Sequence, residues 1–134
     1  MDAVIDIGSN SVRLMTDDGK AVNRKTLAST TLADGLALTG YLSDEAMDRT
    51  AAAIRTFVAE ARRRGADNIY VFGTEAMRAA KNGKAFRARL EEENGLPVDV
   101  ISGETEARLG LIGSAMGILD EATGVDIGGA GGGN

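Results

Sequence analysis

The chain contains no cysteine and no histidine. That excludes disulfides, thiol nucleophiles, a serine–histidine triad and the usual zinc ligand sets, so any metal must be held by oxygen. Tryptophan is absent as well, and three Phe and two Tyr are the only aromatic residues. The core must then be built from Val, Ile, Leu, Ala and Met, and an aromatic platform for stacking bases is not expected. No apolar run approaches the roughly 20 residues that span a bilayer. Met1-Asp2 leads into an apolar stretch without a basic leader, so a cytoplasmic protein with no membrane contact is expected. A net charge of −5 disfavours a nucleic-acid surface spread over the molecule, although eleven Arg against four Lys can still build a local phosphate site.

What is present is ordinary for a folded domain. The 134 residues are 43% apolar and 26% charged, too apolar for a disordered chain. Against about 150 residues per domain, this length allows one domain, or one domain and the start of a second. The expected division is 1–117 for the first and 118–134 for the second, which the sequence begins and does not complete.

Residues 3–7 (Ala-Val-Ile-Asp-Ile) read as a buried strand ended by Gly8. Strands at 12–16 and 21–29, separated by the hairpin signal Asp17-Asp18-Gly19, complete a three-stranded meander. Residues 30–42 lack a clear period and read as a loop. Ser43 is a good N-cap, Asp44 and Glu45 suit the first turn, and apolar residues recur at Met47, Ala51, Ile54, Phe57, Val58 and Ala61 before Arg62-Arg63-Arg64 and Gly65. Arginines at a helix C-terminus are expected on dipole grounds, and these three are placed outside any site. A strand at 68–73, helical turns at 75–80, a helix at 84–94 capped by Gly95 and a strand at 98–101 follow. The class is α/β, a mixed sheet with flanking helices. Ser102-Gly103 opens a further helix with Leu109, Ile112 and Met116 on one face. Five of the last seven residues are Gly, which predicts a mobile tail or an artificial end.

The strongest internal signal is a repeat. Ile5-Asp6-Ile7-Gly8-Ser9 and Val125-Asp126-Ile127-Gly128-Gly129 each place Asp in an apolar strand before a Gly turn. A carboxylate among Val and Ile costs several kcal/mol unless it is paired or faces a metal or a polar cleft. A Gly turn can aim backbone N–H groups at an anion. Two such units fit two related halves that each offer a loop to one metal–phosphate ligand. P-loop and dinucleotide-binding readings fail for want of their glycine patterns, and Asp17-Asp18-Gly19 is too short for a calcium loop.

Four stretches together, Ile5 to Leu14, Gly73-Thr74-Glu75-Ala76-Met77-Arg78, Ile101 to Leu109 and Val125 to Gly129, resemble in order and spacing the N-terminal half of the exopolyphosphatase and guanosine pentaphosphate phosphohydrolase family. The resemblance implies a ribonuclease-H-like, actin-type domain that closes with a second on phosphate and a divalent cation. It implies phosphate contacts from Gly8, Ser9, Asn10, Ser11, Arg78, Gly128 and Gly129, a general base at Glu106, and Mg2+ held by Asp6 and Asp126. The implied substrates are polyphosphate or guanosine pentaphosphate, and a homodimer is compatible with a longer chain. Taken alone, Glu106 reads instead as a first-turn acid placed for the helix dipole, or as a capping partner to Gly103. Where the family continues with Ser-Thr-Glu after the second Asp-Ile-Gly-Gly, this sequence has Ala130 and further glycines, so the second loop is expected to be half present and the stretch inactive by itself. An ATP-dependent kinase or ATPase of the same superfamily, or a non-catalytic polyphosphate-binding module, are the alternatives.

Overall fold

Short runs of branched apolar residues ended by Gly or polar turns make the N-terminal strands. The computed structural model describes residues 1–17 and 24–105. In it β1 (Asp2–Ile7), β2 (Ser11–Asp17) and β3 (Arg24–Ser29) pair antiparallel, as the meander predicts. Asp18 and Gly19 of the expected hairpin lie outside the described residues, as does everything after Thr105. The 30–42 segment is not wholly irregular: α1 (Leu36–Thr39) sits in it between Gly35 and Gly40, both left-handed with φ +80°. One turn is too short to show a helical period, which is why the sequence reads as loop there.

α2 (Asp44–Arg63) starts where its cap predicts, with the Ser43 hydroxyl accepting the Ala46 N–H at 3.1 Å. Its buried face is Ala46, Thr50, Ala51, Ile54, Phe57, Val58 and Ala61. β4 (Asn68–Gly73), α3 (Glu75–Ala79), α4 (Gly83–Asn94) and β5 (Val98–Val100) follow within a residue or so of expectation. The sheet order is β3-β2-β1-β4-β5, with β1, β4 and β5 mutually parallel. The α/β class and mixed sheet are therefore as the sequence predicts. One face of the sheet, with Ala3, Ile5, Ile7, Val12, Leu14, Val71 and Val98, packs against Ile54, Val58, Phe86 and Leu90 of α2 and α4.

The arginine run at the end of α2 divides by exposure. Arg62 and Arg63 are exposed, whereas Arg64 is only 13% exposed and donates to the hydroxyls of Thr16 at 3.2 Å and Thr26 at 3.3 Å. Glu60 binds both Arg63 and Arg64, and these guanidinium groups hold its carboxyl below the usual carboxylate range. Thr16 lies near the end of β2 far from the Gly8 turn and Thr26 midway along the β2–β3 pairing, so Arg64 ties the helix to the strands away from that turn. Among the described residues, no helix is long and apolar enough to cross a membrane.

The α3–α4 corner is tighter than any sequence pattern reveals. A Cβ added at Gly83 would stand 2.1 Å from the Met77 carbonyl oxygen, a backbone atom that cannot swing aside. Gly83→Ala should therefore destabilise the protein by about 1–3 kcal/mol, the usual cost of overpacking. Urea unfolding checks this, and an unchanged midpoint would contradict it.

Candidate functional site

β1, β4 and β5 run parallel, so their carboxyl ends share one edge of the sheet. From β1 the chain continues to β2 and β3 on one side, while β4 and β5 lie on the other. A crevice at such a switch point is where open α/β sheets bind ligands. Three segments meet there: the 8–11 turn after β1, Thr74 and α3 after β4, and the 101–105 segment after β5.

The 8–11 turn is fixed on both sides. The Gly8 N–H donates to the Ser11 carbonyl at 3.0 Å. A Cβ at Gly8 would approach that carbonyl oxygen to 3.1 Å, and Gly8 does not have a positive φ, so it is needed there for space and not for a left-handed turn. From the β3 side, the Ala33 N–H donates to the Ser9 carbonyl at 3.0 Å, and the N–H groups of Thr30 and Thr31 donate to the Asn10 carbonyl at 3.1 and 2.9 Å. In a trans peptide the carbonyl and the following N–H point in opposite directions. The amides of Asn10 and Ser11 are thereby turned away from the 30–33 segment. Thr31 holds φ +46°, the one non-glycine residue with positive φ among those described. For a β-branched residue this stores about 1–3 kcal/mol of strain.

Asp6 is half-buried, not sealed in the core. Side chains alternate along a strand, so Ile5 and Ile7 point to the helix-covered face and Asp6 to the other. Its register partners are Arg13 on β2 and Phe72 on β4. Directly opposed residues on one face of an antiparallel pair have Cβ atoms about 4.5–5.5 Å apart, so the carboxylate has a cationic neighbour as well as the Gly8 turn two residues away. Among the described residues, no three of Asp, Glu, His or Cys gather as a metal-holding group. A single carboxylate would be compatible with magnesium, which takes one or two carboxylates and keeps the rest of its shell for water and phosphate oxygens.

Thr74 joins the first two segments. Its hydroxyl, 4% exposed, donates to the Ile7 carbonyl at 2.9 Å and its N–H approaches the same oxygen at 3.3 Å. It gives α3 no side-chain cap; the hydroxyl is spent instead on the strand beside it. Arg78 is exposed at the end of α3, and its guanidinium donates to the Ile101 carbonyl. The Ile101 N–H in turn donates to the Gly73 carbonyl at 3.0 Å. In the helical turn that follows, the Ser102 hydroxyl accepts the Thr105 N–H at 3.0 Å. Ser102 thus caps this turn through Thr105, three residues on. Glu106, Asp126, Gly128 and Gly129 themselves lie outside the described residues, as do the 117/118 domain boundary and the glycine-rich end.

Gly8, Ser9, Asn10, Ser11, Asp6 and Arg78 thus all belong to segments at one edge of the sheet. Sequence reasoning missed Thr74, the 30–33 segment and Arg49 of α2, which donates to the Thr30 carbonyl at 3.0 Å and to the Thr31 hydroxyl at 2.9 Å. Thr74 had a legible signal, a hydroxyl residue between a strand and a helix; the other two act through contacts distant in sequence.

A family model described as the Ppx/GppA phosphatase family matches residues 4–132. The fold is similar to that of a family member from Aquifex aeolicus, at 32% identity and a TM-score of 0.74, over 90% of this chain and 40% of that one. An exopolyphosphatase from Cytophaga hutchinsonii matches at 30% identity and a TM-score of 0.72, over 81% of this chain and 36% of its own. An exopolyphosphatase-like protein matches at 31% and 0.76, over 83% and 35%. The chain spans two fifths or less of the length of these three solved structures.

Because the Thr74 hydroxyl is buried and ties β4 to the end of β1, Thr74→Val should lower stability by about 1 kcal/mol, a typical net hydrogen-bond loss. Chemical denaturation measures it, and a variant as stable as the parent would show that the bond contributes nothing.

Proposed function

The chain belongs to the Ppx/GppA phosphatase family, and from that membership we propose that it forms one wall of a phosphoanhydride hydrolase acting on inorganic polyphosphate or guanosine pentaphosphate. The observation that carries the reading is the 8–11 turn at the switch point, with its Ser9 and Asn10 carbonyls tied back and the next two amides turned the other way. Such amides, with the hydroxyls of Ser9 and Ser11 and the Asn10 side chain, suit a phosphate chain, which offers only acceptor oxygens. Arg78 adds a planar guanidinium fork from α3, and Gly128 and Gly129 the corresponding turn of the second Asp-Ile-Gly unit.

In this reading Glu106 is the general base. It accepts a proton from water as the water oxygen attacks the terminal phosphorus, and the bond to the bridging oxygen breaks on the opposite side. The shortened phosphate chain leaves with that oxygen. Charge spreads over the equatorial oxygens during transfer, so fixed donors around them supply most of the acceleration. Asp6 and Asp126 would hold Mg2+, which when bound supplies positive charge against the phosphate oxygens. A cytoplasmic setting, where such anions would be met, belongs to the same proposal.

Positioning requires donors on two sides of the reacting phosphorus. These 134 residues carry one complete Asp-Ile-Gly turn and a second one ending in glycines, and by themselves should release phosphate from polyphosphate only at a trace rate. Robust release that Asp6→Asn abolishes would contradict this. In a chain of the relatives' length, Glu106→Gln should slow release by about 10²- to 10⁴-fold, the range of general-base loss, as read by a malachite-green assay. Turnover left unchanged by that substitution would remove Glu106 from the chemistry.

A further inference from the structure

Arg49 stands on α2, one turn past its start, and is absent from every motif that singles out the site. Its guanidinium nevertheless reaches back 18 and 19 positions. Nε donates to the Thr30 carbonyl at 3.0 Å, and Nη2 to the Thr31 hydroxyl at 2.9 Å and the Thr31 carbonyl at 3.4 Å. Those two residues are the ones whose N–H groups hold the Asn10 carbonyl, and Ala33 two residues on holds that of Ser9. Thr31 is also the residue with φ +46°, a conformation it keeps only where its surroundings hold it. A continuous set of hydrogen bonds therefore runs from α2 through the 30–33 segment to the turn after β1.

We propose that Arg49 is a positioning residue: by fixing Thr30 and Thr31 it sets the direction of the Asn10 and Ser11 amides, and so the affinity of the 8–11 turn for the end of a polyphosphate chain, without touching the ligand. This rests on the phosphate-holding role given to that turn above. A planar fork is required, because one cation must meet a carbonyl and a hydroxyl on successive residues at once. Lysine offers a single point of charge and can satisfy only part of the set. Arg49 is exposed and α2 keeps its buried face without it, so substitution leaves the core intact.

The test compares the parent chain with Arg49→Met and Arg49→Lys by amide hydrogen exchange and by NMR titration with tripolyphosphate. In Arg49→Met the amides of Thr30, Thr31 and Ala33 should exchange at least tenfold faster while those of Ile5 and Val71 stay protected. Tripolyphosphate affinity should fall at least fivefold, with Arg49→Lys intermediate in both. Weaker binding with unchanged exchange at the three amides would mean that Arg49 meets the ligand directly, which overturns the proposal. Faster exchange with unchanged affinity overturns it too. A parent chain that fails to bind tripolyphosphate would instead refute the function proposed for the turn, and the exchange comparison would still decide whether Arg49 holds the segment.

Discussion

β1 is hydrogen-bonded on both sides, antiparallel to β2 and parallel to β4. An antiparallel neighbour can be reached by a tight turn, whereas a parallel one requires a long crossover, here through β2, β3, α1 and α2. At the carboxyl end of β1, among the described residues, a short turn and the loop after a parallel strand consequently lie side by side. The Gly8 turn, the Thr74 hydroxyl on the Ile7 carbonyl and the 101–105 segment all follow from that pairing. Helix α2 then braces the β2–β3 pair at two places, with Arg64 on Thr16 and Thr26 and Arg49 on Thr30 and Thr31 just past β3.

Much of this was legible in the residues, and what was not has physical causes. Ser43, the acidic first turn and the spacing from Ala51 to Ala61 are local, and a helix responds mainly to local pattern and to its buried face, so α2 falls where the sequence puts it. The strands were readable for the same reason. Asp6 stands between isoleucines in the sequence, but neighbours along a strand are not neighbours in space: the isoleucines face the helices, while Asp6 is in register with Arg13 and Phe72. Gly8 supplies room beside the Ser11 carbonyl and does not have a positive φ, which the sequence by itself does not tell.

The partners in the bracing could not be read for a different reason. Arg49 lies 18 residues from Thr31, Thr74 lies 67 from Ile7, and no periodicity links such pairs. Motifs marked the 8–11 turn because its residues are contiguous in the sequence. They did not mark Arg49, since a carbonyl bond from an arginine leaves no compositional trace. The division is a general one: chemistry concentrates in a few contiguous residues, whereas preorganisation is spread over whatever the fold brings alongside.

The carboxyl edge of β1, β4 and β5 is proposed to be a phosphate site built on the 8–11 turn. A crystal structure of the chain soaked with tripolyphosphate and magnesium tests it most directly. A phosphate group should lie within hydrogen-bond distance of the Asn10 and Ser11 amides, with Asp6 on its magnesium side. Phosphate bound only at exposed arginines such as Arg62 and Arg63, with the 8–11 turn empty, would contradict it.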